Sequence, residues 1–251
     1  MSAMDLHVIK LGGSLLDDRD RRLRVLERVV GRWNAGQRII LVHGGGLHID
    51  AALTKAGIAR RTHAGLRITD AATLDIVVSV LCGTVNKMLV AELTTLGVSA
   101  AGLSGVDGGT LCADLHPPVD GIDLGHVGRV TESSPRLIRF VISAGTMPVV
   151  ASVAMGPGGS MLNVNADSAA AAIASAAGAS SLQFLTDVPG VYDQEGEVFP
   201  TLESTTARRM LDSTFVTGGM RPKLMAALSA LDLGVPSITI GEEGGTAVVA
   251  A

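Results

Sequence analysis

A repeated alternation constrains this chain most: short apolar runs rich in β-branched residues, each followed by a longer stretch with helical spacing. Leu6 to Leu11, Arg38 to His43, Ser99 to Leu103, Met147 to Val150, Ser181 to Thr186 and Ser237 to Ile240 read as buried strands. Arg19 to Trp33, Asp70 to Leu96, Pro135 to Ala144, Ala166 to Ala177 and Gly219 to Leu233 read as helices. Strand and helix taking turns predict a mostly parallel sheet with helices on both faces, and ligands outside the carboxyl ends of the strands. Aromatic residues make up only 2% of the chain, so the core is built from Ala, Val, Leu and Ile, which suits helices layered on a buried sheet. Texture changes between Gly108 and Arg129 and again between Gly156 and Asn163, which predicts inserted hairpins forming a lid or small subsheet. The expected organisation is two lobes sharing one continuous sheet, residues 1–150 and 151–251.

A net charge of −4 supplies no broad basic surface, which disfavours nucleic acid or an anionic membrane as partner and favours a small soluble ligand. Cys82 and Cys112 form neither a disulfide framework nor a metal cluster, and they read as packing residues. His43, His48 and His126 lie in separate contexts, so no metal ligand is assigned. The start MSAMDLHVIK lacks a basic region followed by an apolar run, and no stretch approaches ~18 uninterrupted apolar residues. A cytoplasmic protein is the expectation.

The chemistry-bearing segments lie at the strand ends. The first strand runs into Gly12-Gly13-Ser14 and the second into Gly44-Gly45-Gly46, each ahead of a helix. Bare backbone amides there can face an anion, although neither loop forms a Walker motif or a complete dinucleotide fingerprint. Asn163-Val164-Asn165-Ala166-Asp167 precedes an alanine-rich helix and can cap it or bind ligand. Gly218-Gly219-Met220-Arg221-Pro222-Lys223 opens another helix, where a lysine is disfavoured by the helix dipole unless an anion lies nearby. Thr186-Asp187-Val188-Pro189-Gly190-Val191-Tyr192 reads as a turn with its own short strand.

In this order, the segments VIKLGGS, LVHGGG, NVNADSAA, LTDVPGVY and GGMRPK resemble the amino-acid-kinase family. AGLRITD, GTVNK, GLSGVDGG and DLGHVGRVTESSPRLI resemble its N-acetylglutamate kinase branch in particular. The resemblance implies a three-layer α/β/α sandwich whose amino-terminal lobe binds the acyl amino acid and carries the dimer contact, and whose carboxy-terminal lobe binds nucleotide. It further implies ATP-dependent phosphorylation of the side-chain carboxylate of N-acetyl-L-glutamate, a step of arginine biosynthesis, with Mg²⁺ held mainly by the phosphates of ATP. By matching positions, Lys10 and Lys223 would neutralise the transferring phosphoryl group and Asp167 would hold the lysines. Gly45, Gly46, Arg67 and Asn163 would bind the acceptor. Gly12, Gly13, Thr186, Asp187, Gly190, Tyr192, Gly218 and Gly219 would border the nucleotide. A kinase for carrier-linked aminoadipate or glutamate and a noncatalytic sensor of the same fold are the competing readings. A homodimer insensitive to arginine is also expected, because only about five residues precede the first strand and arginine-inhibited members carry an extra helix there.

Overall fold

The computed structural model describes residues 5–212, 216, 218–242 and 244–251; of the segments above, Met1 to Met4 lie outside the described residues. The chain runs β1 (Leu6–Leu11), α1 (Gly13–Asp17), α2 (Arg19–Asn34), β2 (Arg38–His43) and α3 (Gly46–Lys55), then a hairpin of β3 (Thr62–His63) and β4 (Leu66–Arg67). One long helix follows, made of α4 (Ala71–Val78), a π-helical turn (Ser79–Val85) and α5 (Asn86–Thr95). Next come β5 (Ala100–Ser104), β6 (Leu111–Leu115), β7 (Val127–Ser133), α6 (Arg136–Ser143), β8 (Met147–Ala151), β9 (Val153–Met155) and β10 (Met161–Val164). The chain closes with α7 (Ala166–Ala177), β11 (Ser181–Leu185), β12 (Thr201–Glu203), α8 (Ser204–Asp212), α9 (Met220–Asp232), β13 (Ile238–Ile240) and β14 (Thr246–Val249).

Eight strands form the main sheet in the order β12-β14-β13-β11-β1-β2-β8-β5. From β13 to β5 every pairing is parallel, whereas β14 runs antiparallel to β13 and β12 follows β14. All six residues of β1, near the middle of the sheet, are buried. Period-two alternation divides that strand between two cores. Leu6 and Val8 pack with Ile40, Val42 and the alanines of α7, while Ile9 and Leu11 pack with Val25, Leu26, Leu53, Leu81 and Leu89 from the opposite helical layer. Each fully buried Leu or Ile contributes roughly 1.5–3 kcal/mol relative to exposure, so the sheet's interior is the main source of stability. The small side chains of α7 let that helix sit between the sheet and α9, with Ala169, Ala170 and Ala174 at zero exposure.

The two expected insertions are present as β6–β7 and β9–β10, and they pair into a second four-stranded sheet that closes on itself. The hairpin β3–β4 departs from the sequence reading. Its strands are two residues long, and its turn places Ala64 at φ 47° and Gly65 at φ 79°, so alanine occupies a left-handed position usually taken by Asn, Asp or Gly. Residues 71–95 form one continuous helix, long and apolar enough by length and composition to cross a bilayer. Asp75, Lys87 and Glu92 interrupt it, and Val77, Leu81, Val85, Leu89 and Leu93 are buried in the core.

Candidate active site

Lys10 lies on the same face of β1 as Leu6 and Val8, the face that α7 covers, and it comes near the strand's carboxyl end. There it meets the first turn of α7. Lys10 Nζ is 2.7 Å from Asp167 Oδ1, and Lys223 Nζ, from the first turn of α9, is 3.7 Å from Asp167 Oδ2. The three side chains are 7%, 5% and 12% exposed in the order Lys10, Asp167, Lys223, so this is a nearly dry cluster with one net positive charge. Burial pushes the Lys223 ammonium below the ordinary lysine value, and the nearby Lys10 charge pushes it further than Asp167 can restore. An excess cation in such a place is stabilised by an arriving anion.

The helix starts around it suit that anion. Asn165 caps α7, accepting from the amides of Asp167 and Ser168 at 2.8 and 3.1 Å, so the capping reading of this segment holds alongside the charge cluster. By contrast, α3 and α9 begin at Gly45 and Gly219 without side-chain caps, and neither has an acid in its first turn. Their first-turn amides lack intrahelical acceptors. Gly12 donates its N–H to Leu185 O at 2.8 Å, and a Cβ there would stand 2.7 Å from the same oxygen, so the loop after β1 packs against β11 only as glycine. Gly13, Gly46 and Gly218 face open space, and Gly219 faces the Lys223 ammonium.

A second cationic group lies on the β3–β4 side. Arg67 is 11% exposed; its Nη2 donates to Asp50 Oδ1 at 2.5 Å and to Gly46 O at 3.3 Å. Thr69 joins it to Asn163 on β10: Thr69 Oγ1 donates to Arg67 O at 2.8 Å and accepts from Asn163 Nδ2 at 3.2 Å. The backbone tightens the same junction, with Thr69 O accepting from His126 N at 2.7 Å. Gly125 approaches so closely, at φ 66°, that a Cβ would lie 2.4 Å from Thr69 O. Arg67 and Asn163, distant in sequence, are thus linked through one threonine.

His43 closes β2 and is fully buried. The Gly44 carbonyl, 2.9 Å from Nδ1, can only accept, so Nδ1 carries the proton and Nε2 accepts from Asn86 Nδ2 at 3.0 Å. Asn86 also donates to Val149 O at 2.9 Å and Leu103 O at 3.3 Å, tying the end of β2 to β8 and β5 beneath the glycine loop. Desolvation pushes the His43 pKa down to about 4, against the smaller opposing pull of the Gly44 carbonyl. His48 instead pairs with Asp17 at 3.0 Å, so these two histidines serve separate contacts.

On the remaining side, Thr186 is buried and donates to Asp187 Oδ1 at 3.0 Å. Burial would raise the Asp187 pKa, but hydrogen bonds from Thr186, its own amide and Ser14, with the Arg21 charge, together lower it. The turn docks on β14 through Val191 N to Thr246 Oγ1 at 2.8 Å, beside Gly190, while Tyr192 bridges to Val198 and is 38% exposed. Of the residues brought together here, Lys10, Asp167, Lys223, Arg67 and Asn163 stand out in the sequence, and Asp50 and Thr69 do not. Thr69 lies within the segment AGLRITD; Asp50 carries no local signal.

Residues 5–242 match the amino acid kinase family. The chain is similar to the acetylglutamate kinase of Solibacter usitatus (strain Ellin6076), 43% identical over stretches covering 97% of this chain and 99% of that one. It is also similar to the acetylglutamate kinase of Geobacillus kaustophilus (strain HTA426), 42% identical over 93% of this chain and 88% of that one. Among solved structures, smu.665 from Streptococcus mutans UA159 superposes with a TM-score of 0.88 at 30% identity, covering 98% of each chain. With a match that extends from β1 past β13 and so takes in every residue of the lysine–aspartate–lysine cluster, the chain belongs to the amino acid kinase family.

Proposed function

We propose that this chain transfers the γ-phosphoryl group of ATP to the side-chain carboxylate of N-acetyl-L-glutamate, giving ADP and N-acetylglutamyl 5-phosphate, a step of arginine biosynthesis. The observation that carries this reading is the buried Lys10–Asp167–Lys223 cluster within a fold whose similar chains are acetylglutamate kinases. A carboxylate with an ordinary pKa near 4.3 is already an ionised nucleophile at neutral pH, so no general base is required. The task left to the protein is to hold two anions together and to stabilise charge on the phosphoryl group in transit. Lys10 and Lys223 meet that charge, and Asp167 keeps both ammonium groups aimed at it. Gly45 and Gly46 offer backbone to the acceptor, and Arg67 and Asn163 bind its α-carboxylate.

Gly12, Gly13, Gly218 and Gly219 cradle the phosphates, and the turn Thr186 to Tyr192 borders adenine and ribose. The excess positive charge and uncapped helix starts fit a polyphosphate. Mg²⁺ comes with the nucleotide and shields its oxygens; Asp167, engaged by both lysines, is not assigned to it. We assign acceptor binding and dimer contact to residues 1–150, nucleotide binding to residues 151–251, and the working form to a cytoplasmic homodimer. The test is ATP-dependent formation of a hydroxylamine-trappable acyl phosphate, run in parallel on N-acetylglutamate, glutamate, aspartate, carbamate and uridylate. Turnover confined to any acceptor other than N-acetylglutamate overturns the proposal.

A further inference from the structure

Asp50 sits on α3, one turn beyond Gly46, and two arginines share its carboxylate. Oδ1 accepts from Arg67 Nη2 at 2.5 Å, and Oδ2 lies 3.0 Å from Arg60 Nη1. Asp50 is only 21% exposed with both oxygens engaged, which is unlike an acid placed on a helix to face water. On the Arg67 guanidinium the two outer nitrogens have opposite fates. Nη2 is fixed by Asp50 and by the Gly46 carbonyl, whereas Nη1 is buried and has no hydrogen-bond partner among the described residues. A buried N–H without an acceptor is costly, and a guanidinium grips a carboxylate through two fixed N–H groups.

We infer that Asp50 is a positioning residue for acceptor binding, clamping one edge of the Arg67 guanidinium so that the unpartnered edge is presented to the acceptor's α-carboxylate. The inference rests on the proposed function for the identity of that acceptor. Charge explains the second arginine. Asp50 alone would cancel Arg67 and leave no attraction for an incoming anion; Arg60, on the other oxygen, returns the group of three to a net positive charge. Asp50 therefore fixes direction and Arg60 preserves attraction.

The clamp is tested first on the protein without ligand. In ¹⁵N-arginine-labelled protein, the Arg67 guanidinium signal, identified by its loss in Arg67→Lys, should show slow rotation in the wild type. Asp50→Asn, which keeps an oxygen acceptor for Nη2, should retain that behaviour, and Asp50→Ala should show motional averaging. An unaltered Arg67 signal in Asp50→Ala overturns the clamp whatever the acceptor turns out to be. Kinetics form the second arm: Asp50→Ala should raise KM for N-acetylglutamate roughly tenfold to a hundredfold, with kcat and the KM for ATP held within about twofold, as expected for a misaimed binding group. Asp50→Asn should recover part of that loss. A lower KM in Asp50→Ala would mean that Asp50 competes with the acceptor for Arg67, which also overturns the inference. Absence of turnover by the wild type on N-acetylglutamate would refute the proposed function, and the guanidinium rotation would still decide the clamp.

Discussion

Lowering the pH from 7 to 4 should destabilise this fold through His43 in particular. The imidazole is fully buried and neutral, with Nε2 accepting from Asn86. Protonation would put two donors face to face, and turning the Asn86 amide over would abandon the carbonyls of Val149 and Leu103. In the fold His43 titrates at about 4, whereas its value in the unfolded chain is 6.5. Between those limits the unfolded chain binds a proton that the folded one refuses, so stability rises with pH there. It is fully present above 6.5 and is lost as pH falls toward 4, and the gap corresponds to about 3 kcal/mol, a large share of a typical domain's stability. Urea unfolding from pH 7 to 4, followed by the fluorescence of the sole tryptophan, the buried Trp33, measures it. His43→Asn should be less stable at neutral pH because it loses packing, yet its stability should fall less steeply with acid. The other histidines are common to both proteins and cancel in the difference. Parallel loss of stability in the two proteins would refute the argument.

Lys10→Ala and Lys223→Ala should each lower kcat by on the order of 10² or more, and Asp167→Asn should do likewise by releasing both lysines; near-normal turnover of all three folded variants would sink the assigned mechanism. Arg67→Lys should raise KM for the acyl amino acid far more than for ATP, since lysine lacks the planar two-pronged grip, and equal losses would point to a folding role. Light scattering should report a dimer built on the 71–95 helix, only 33% of whose most apolar stretch is buried, and a monomer at micromolar concentration would exclude it.

Much of the fold was legible because its signals are local. β1, β2 and α7 begin and end where hydrophobic runs meet glycine, asparagine or a change of period. The hairpin β3–β4 was not legible, since two-residue strands bury no apolar face and alanine at φ 47° gives no turn signal. Nor was the reversal of β14, because strand direction depends on the path of the connecting loop. Lys10 and Asp167 could be paired from sequence only by resemblance; nothing within either segment states that β1 and the start of α7 meet. Asp50 was invisible for a related reason. On α3 it resembles any polar helix position, and its two arginine partners arrive from the chain that follows.

The π-helical turn between α4 and α5 has a consequence for how the long helix tolerates length changes. An α-helix advances about 100° per residue, whereas a π turn winds more slowly, so the seven residues of Ser79–Val85 cover about the rotation of six α-helical ones and take up one extra residue. Deleting one residue there and restoring ordinary hydrogen bonds would leave Asn86, the first residue of α5, facing His43, whereas deleting one from the regular turns of α4 would swing it about 100° out of phase. The screw phase of this helix is set by the partner it must reach under the second glycine loop, and a one-residue deletion is tolerated where the π-helical turn can take it up.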